Sequence, residues 1–95
     1  MERTYELIYV INPTLSEEAH AALTARVENL VSANGKVVNV DDWGKKRLAY
    51  EIEDHKEGHY ILLTFEANAE APREIERVMR ITDGVLRYLV IRKEG

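Results

Sequence analysis

The chain has 95 residues, 45% of them hydrophobic, with no cysteine and a formal net charge of −4. That length favours a single domain over residues 1–95, with enough apolar content for one modest core. The absence of cysteine excludes disulfides, thiol catalysis and cysteine-ligated metal. The acidic balance argues against a free-standing nucleic-acid binder, because that affinity comes from neutralising phosphates with Lys and Arg.

Met1-Glu2-Arg3 runs directly into a strand pattern, with no basic-then-apolar leader and no apolar run of membrane-spanning length. A cytoplasmic location is therefore expected. Arg3 to Ile11 reads as a strand in which Tyr5, Leu7, Tyr9 and Ile11 share one face and Thr4, Glu6, Ile8 and Val10 the other. Asn12-Pro13 ends it, since proline cannot extend a ladder. Ser16 is a good N-cap, and Glu17 and Glu18 suit the first turn of a helix. Ala19, Leu23, Val27, Leu30 and Val31 form its stripe, His20 lies off it, and Asn34-Gly35 is expected to close it in the left-handed conformation.

A second strand starts at Lys36, is interrupted near Trp43-Gly44, and resumes through Leu48 to Ile52, where Leu48, Tyr50 and Ile52 alternate as if diving into the core. Residues 54–58 read as a turn and His59 to Glu66 as the return strand, with Ile61, Leu63 and Phe65 opposite Tyr60, Leu62 and Thr64. Pro72 suits the first turn of a second helix with a stripe of Ile75, Val78 and Met79. Asp83-Gly84 is a turn before a last strand from Val85 to Arg92. The order βαββαβ implies an α+β, ferredoxin-like sandwich: a four-stranded antiparallel sheet with two helices on one face.

The other sheet face does not read as wet. Ile8, Val10, Tyr60, Leu62, Leu89 and Ile91 all fall opposite the helices, a larger apolar patch than a monomer normally exposes. A protein partner is expected to cover it. Basic residues gather at Lys45, Lys46 and Arg47, just after a glycine that marks a bend. Trp43 at the bend reads either as a packing anchor or as an exposed contact.

The run Gly44, Lys46, Arg47, Leu48, Ala49, Tyr50 and Ile52 closely resembles the motif of the bacterial ribosomal protein S-six family, and Arg3 to Pro13 resembles that family's opening strand and Asn-Pro exit. Glu53 departs from the basic or small residue usual at the end of the motif. The resemblance covers essentially the whole chain. It implies a structural constituent of the small ribosomal subunit that pairs with ribosomal protein S-eighteen. The pair would bind the central domain of the small-subunit ribosomal RNA, without a cofactor or small-molecule substrate. The RNA-contact candidates are Arg3, Lys45, Lys46, Arg47, Arg87 and Lys93.

Other constellations read as structural. His55 and His59 with Asp54 and Glu57 straddle a turn and a strand, and His20 is placed far off on a helix, so no metal site is expected. Asp41 and Asp42 are adjacent and should point to opposite faces, which makes them poor candidates for a catalytic carboxylate pair, and no catalytic residue is assigned. Lys56-Glu57-Gly58-His59-Tyr60 is a damaged form of the third-strand motif of RNA-recognition domains, and Tyr9 falls on the core face. The rival reading is a small enzyme or ligand sensor on the same fold, acylphosphatase-like or amino-acid-sensing. It would want a glycine-rich loop after the first strand, and Asn12-Pro13-Thr14-Leu15-Ser16 has no glycine.

Overall fold

The computed structural model describes residues 2–93, so Met1, Glu94 and Gly95 of the expected 1–95 domain lie outside the described residues. Six elements follow the βαββαβ order: β1 (Arg3–Ile11), α1 (Glu17–Asn34), β2 (Lys36–Ile52), β3 (His55–Ala67), α2 (Ala71–Arg80) and β4 (Val85–Arg92). They form one sheet with strand order β2-β3-β1-β4, antiparallel at each described pairing. This is the ferredoxin-like arrangement expected from the alternation.

The two helices cover one face because each carries a narrow apolar stripe. Leu23, Val27 and Val31 are buried on α1, and Ala71, Ile75 and Met79 on α2. They pack on Tyr5, Leu7, Tyr9 and Ile11 of β1 and on Ile61, Leu63 and Phe65 of β3. Ala19 is exposed rather than part of the stripe, and Leu30 and Val78 are half-buried. The N-terminus of α1 is fixed as expected, with the Ala19 amide donating to Oγ of Ser16 at 3.1 Å.

Three local expectations are corrected. Gly35 has φ 179°, extended rather than left-handed. Space explains the glycine there, because a Cβ would lie 2.4 Å from the Glu66 carbonyl oxygen and 2.7 Å from the Ala67 Cβ. The C-terminus of α1 is closed instead by the Asn34 side chain, which donates to the Leu30 carbonyl at 2.9 Å. The hairpin turn sits at Glu53 and Asp54, with φ of 49° and 68°, between the paired residues Ile52 and His55. Two left-handed residues match the twist of flanking strands, which is why β3 starts at His55 and Gly58 lies inside it.

The third correction concerns β2, which is one strand of 17 residues carrying bulges rather than two interrupted pieces. At Gly44, with φ +76°, the pairing steps from Asp42–Ile61 to Gly44–Tyr60 and leaves Trp43 as the extra residue. The far half of β2 does not dive into the main core. Leu48 is buried, but on the open face of the sheet, over Val10 of β1. Tyr50 reaches further still and meets Arg87 of β4.

Candidate interaction face

The ladders set the open face in rows. Ile8 lies between Leu62 and Leu89, Val10 between Tyr60 and Arg87, and Glu6 between Thr64 and Ile91. Partners across an antiparallel pair share a face, so the row of Ile8, Leu62 and Leu89 is continuous over three strands. Leu89 and Ile91 are 54% and 39% exposed, while Ile8, Tyr60 and Leu62 are half-buried. Five of the six residues expected on this face therefore remain accessible. Val10 is nearly covered, at 3% exposed, and contributes only to the floor of the groove along this face.

The reason is the overhang of the β2–β3 hairpin. Gly58 has no side chain, and a Cβ there would stand 2.2 Å from Cγ1 of Val10 and 3.4 Å from Cδ2 of Leu48. The glycine lets the hairpin descend onto Val10, and Leu48 seals it. Beside this small second cluster a shallow groove of about 220 Å³ runs along Ile8, Tyr60, Arg87 and Leu89.

An aromatic and cationic rim borders the groove. The Trp43 ring stacks on Tyr60 with centroids 6.4 Å apart and planes 19° from parallel. Its indole N–H donates to the Asp41 carboxylate at 3.1 Å, and Nζ of Lys46 sits 5.2 Å from the ring centroid. Arg87 lies over the Tyr50 ring, at 5.5 Å, and donates to its hydroxyl. Trp43 is thus both an anchor on Tyr60 and a surface, being 39% exposed.

The six basic candidates do not form one patch. Beyond the bulge, even-numbered residues of β2 face the open side, so Lys46 joins Arg87 there while Lys45 and Arg47 point to the helix side. Lys45 borders a cavity with Glu17, His20 and His59. Arg3 and Lys93 are at the opposite end of the sheet, where the Lys93 amide donates to the Thr4 carbonyl at 2.9 Å. Tyr9 is 1% exposed, and burial first, then the carboxylates of Glu28 and Asp42, push its phenol pKa well up, so it stays neutral in the core.

The histidines group differently from the sequence expectation. His55 stands at the hairpin start, about 13 Å along an extended strand from His59 by the usual rise per residue. His20 is not far off: its ring lies 4.5 Å from that of His59. Nε2 of His59 is 2.6 Å from Oδ1 of Asp42, which also accepts from the Gly44 amide at 2.8 Å. Burial alone would raise the Asp42 pKa. The Gly44 amide, the His59 hydrogen bond and the charges of His59 and His20 outweigh it and hold the carboxyl below its ordinary range. The loop after β1 is occupied by its own side chain, since Oδ1 of Asn12 accepts from both the amide and the hydroxyl of Thr14.

With this geometry in place, comparison with known proteins assigns the family. The family model described as Ribosomal protein S6 matches residues 4–92. The chain belongs to the ribosomal protein S6 family. The small ribosomal subunit protein bS6 of Caldanaerobacter subterraneus subsp. tengcongensis is 50% identical over 93 residues, covering 97% of this chain and 98% of the relative. The bS6 of Clostridium novyi is 48% identical over the same shares. Among solved structures, 30S ribosomal protein S6 from Thermotoga maritima superposes with a TM-score of 0.91 at 30% identity, over 98% of this chain and 89% of that one. This S6 family is one of ribosomal proteins and not of enzymes. The resemblance seen in the Gly44–Ile52 run thus extends through all six elements.

Proposed function

We propose that this chain is a structural constituent of the small ribosomal subunit in the cytoplasm, and that it binds the central domain of the small-subunit ribosomal RNA as a pair with ribosomal protein S-eighteen. The accessible row of Ile8, Leu62 and Leu89, extended by Ile91, is the observation that carries the pairing. Fully covering an aliphatic side chain contributes about 1.5–3 kcal/mol, so a few such residues supply a stable contact after association costs. The family membership and the small-subunit names of the relatives carry the ribosomal part.

Charge sets the order of events. A protein at −4 is repelled by phosphate at long range and attracts a basic partner first. With the partner on the open face, Lys46 and Arg87 stand at its border, close to the seam where RNA would meet both proteins. These cations, with Lys45, Arg47, Arg3 and Lys93 on other sides, would position phosphates rather than read bases.

The pairing is tested with Leu89→Asp, at an exposed site whose change should leave the fold intact. Binding to S-eighteen, measured by calorimetry, should weaken by about 2 kcal/mol or more, as for an interface anchor. For the RNA step, the salt slope of RNA binding by the pair should flatten by about one log–log unit for each phosphate contact removed, here with Lys46→Ala and Arg87→Ala. Undiminished pairing by the folded Leu89→Asp protein would remove the open face from the contact. Tight RNA binding by the chain alone would overturn the partner-first order.

A further inference from the structure

The helix side of the sheet holds a grouping that the interaction face does not use. His20 of α1, Asp42 of β2 and His59 of β3 each offer one ligand atom, and these atoms lie within 4.8 Å of one another. We propose that these three side chains form a binding site for one zinc ion. The ligands come from three elements, and each backbone is held independently. Ser16 caps the helix that carries His20, and the His20 amide donates to the Ser16 carbonyl at 2.9 Å. The bulge holds Asp42, whose Oδ1 takes the Gly44 amide. The ladder holds His59 between Ile11 and Lys45.

Two imidazoles and one carboxylate select the cation by chemistry. Nitrogen donors suit Zn²⁺ and its late transition-metal neighbours, whereas Ca²⁺ and Mg²⁺ want shells of oxygen. Zinc bonds of about 2.0–2.2 Å in a tetrahedron place ligand atoms roughly 3.3–3.5 Å apart. The 2.6 Å contact of His59 with Asp42 must open slightly, and the longest separation must close, to reach that spacing. Side-chain rotation accomplishes both, because the Asp42 side chain is 55% exposed and that of His59 is 19% exposed. Zinc would take the place of the proton between Nε2 of His59 and the Asp42 carboxylate, while the Gly44 amide keeps its hold on Oδ1. The site opens into a shallow cavity of about 280 Å³, with room for water to complete the coordination. Bound zinc would tie the start of α1 to the base of the β2–β3 hairpin.

The test uses the full-length, tag-free protein after chelator treatment, titrated with Zn²⁺ alone in calorimetry and with Co²⁺ in visible absorption. One saturable site is expected, with a rise in melting temperature on Zn²⁺ addition and none with Mg²⁺. His20→Ala and His59→Gln should each weaken Zn²⁺ binding at least about tenfold and remove the d–d absorption of low-coordinate Co²⁺. His55→Ala, at the third histidine, should change nothing. His20 sits on a helix surface, so its variant keeps the test decisive if His59→Gln fails to fold. The proposal is overturned by the absence of saturable binding at millimolar Zn²⁺. It is equally overturned by full affinity in folded His20→Ala, or by an equal loss in His55→Ala.

Discussion

Gly58→Ala probes the overhang that shapes the interaction face. The added methyl would stand 2.2 Å from Cγ1 of Val10, against an ordinary carbon–carbon contact of about 3.5–4.0 Å, so well over an ångström must be recovered. Val10 cannot swing aside cheaply, because a β-branched side chain has few χ1 choices and this one is buried between Gly58 and Leu48. The hairpin must lift instead, which exposes Leu48 and parts Tyr50 from Arg87. Overpacking of this kind costs about 1–3 kcal/mol. In a domain of this size that lowers the thermal midpoint by roughly 5–20 °C. Circular dichroism melts and urea unfolding followed by the single tryptophan, Trp43, measure it. The decisive arm is the double variant: once Val10→Ala has removed Cγ1, Gly58→Ala should cost much less than in the native background. Strictly additive losses, or a Gly58→Ala protein as stable as the parent, would refute the claim that this glycine exists to let the hairpin down.

Two further outcomes test the core and the Asp42 cluster. Leu63→Ala, at a fully buried β3 position, should cost about 2–5 kcal/mol in urea unfolding, whereas His20→Ala in metal-free buffer should cost under about 1 kcal/mol. Because the folded-state pKa of Asp42 is lowered, its contribution is present above the unfolded pKa and lost as pH falls through the folded value. Asp42→Asn should therefore flatten the decline of stability below about pH 4, by a small amount because the group is exposed, and should leave the curve above that range parallel to the parent.

What could be read from the chain, and what could not, follows from the range of the interactions involved. Residues 3–11 and 59–66 alternate cleanly, and strict period two across unbroken strands put Tyr5, Leu7, Tyr9, Ile61, Leu63 and Phe65 on the core face, where they lie. The N-cap at Ser16 and the turn at Gly84 are local devices, decided by residues a few positions apart. Gly35 and Gly58 are different. Each is required by a strand or side chain distant in sequence, Glu66 and Ala67 for the first and Val10 for the second. Local rules supply a familiar reason for a glycine, a left-handed cap or a turn, and here the operative reason is close approach.

β2 shows why the basic cluster was legible as composition but not as geometry. Of the three register shifts along β2, the first two, at Val38 and at Trp43, each insert a residue and reverse which parity faces which side. Before the second bulge Asn39 and Asp41 pair on the open face, and after it Gly44 and Lys46 do, with the Leu48 side chain on the same side. Three consecutive cations on such a strand cannot act as one patch, since alternation divides them between two faces. The earlier reversal, at Val38, brings Asp42 to the helix side, beside His59 on the neighbouring strand and within reach of His20, 22 positions earlier in the chain. Neither partner of that grouping is adjacent in sequence, so no motif spacing announces it. The bulge at Trp43 thus has two consequences at once: it lays an aromatic ring on Tyr60 at the edge of the apolar face, and it presents the Gly44 amide that holds the Asp42 carboxylate beside the imidazoles on the other side.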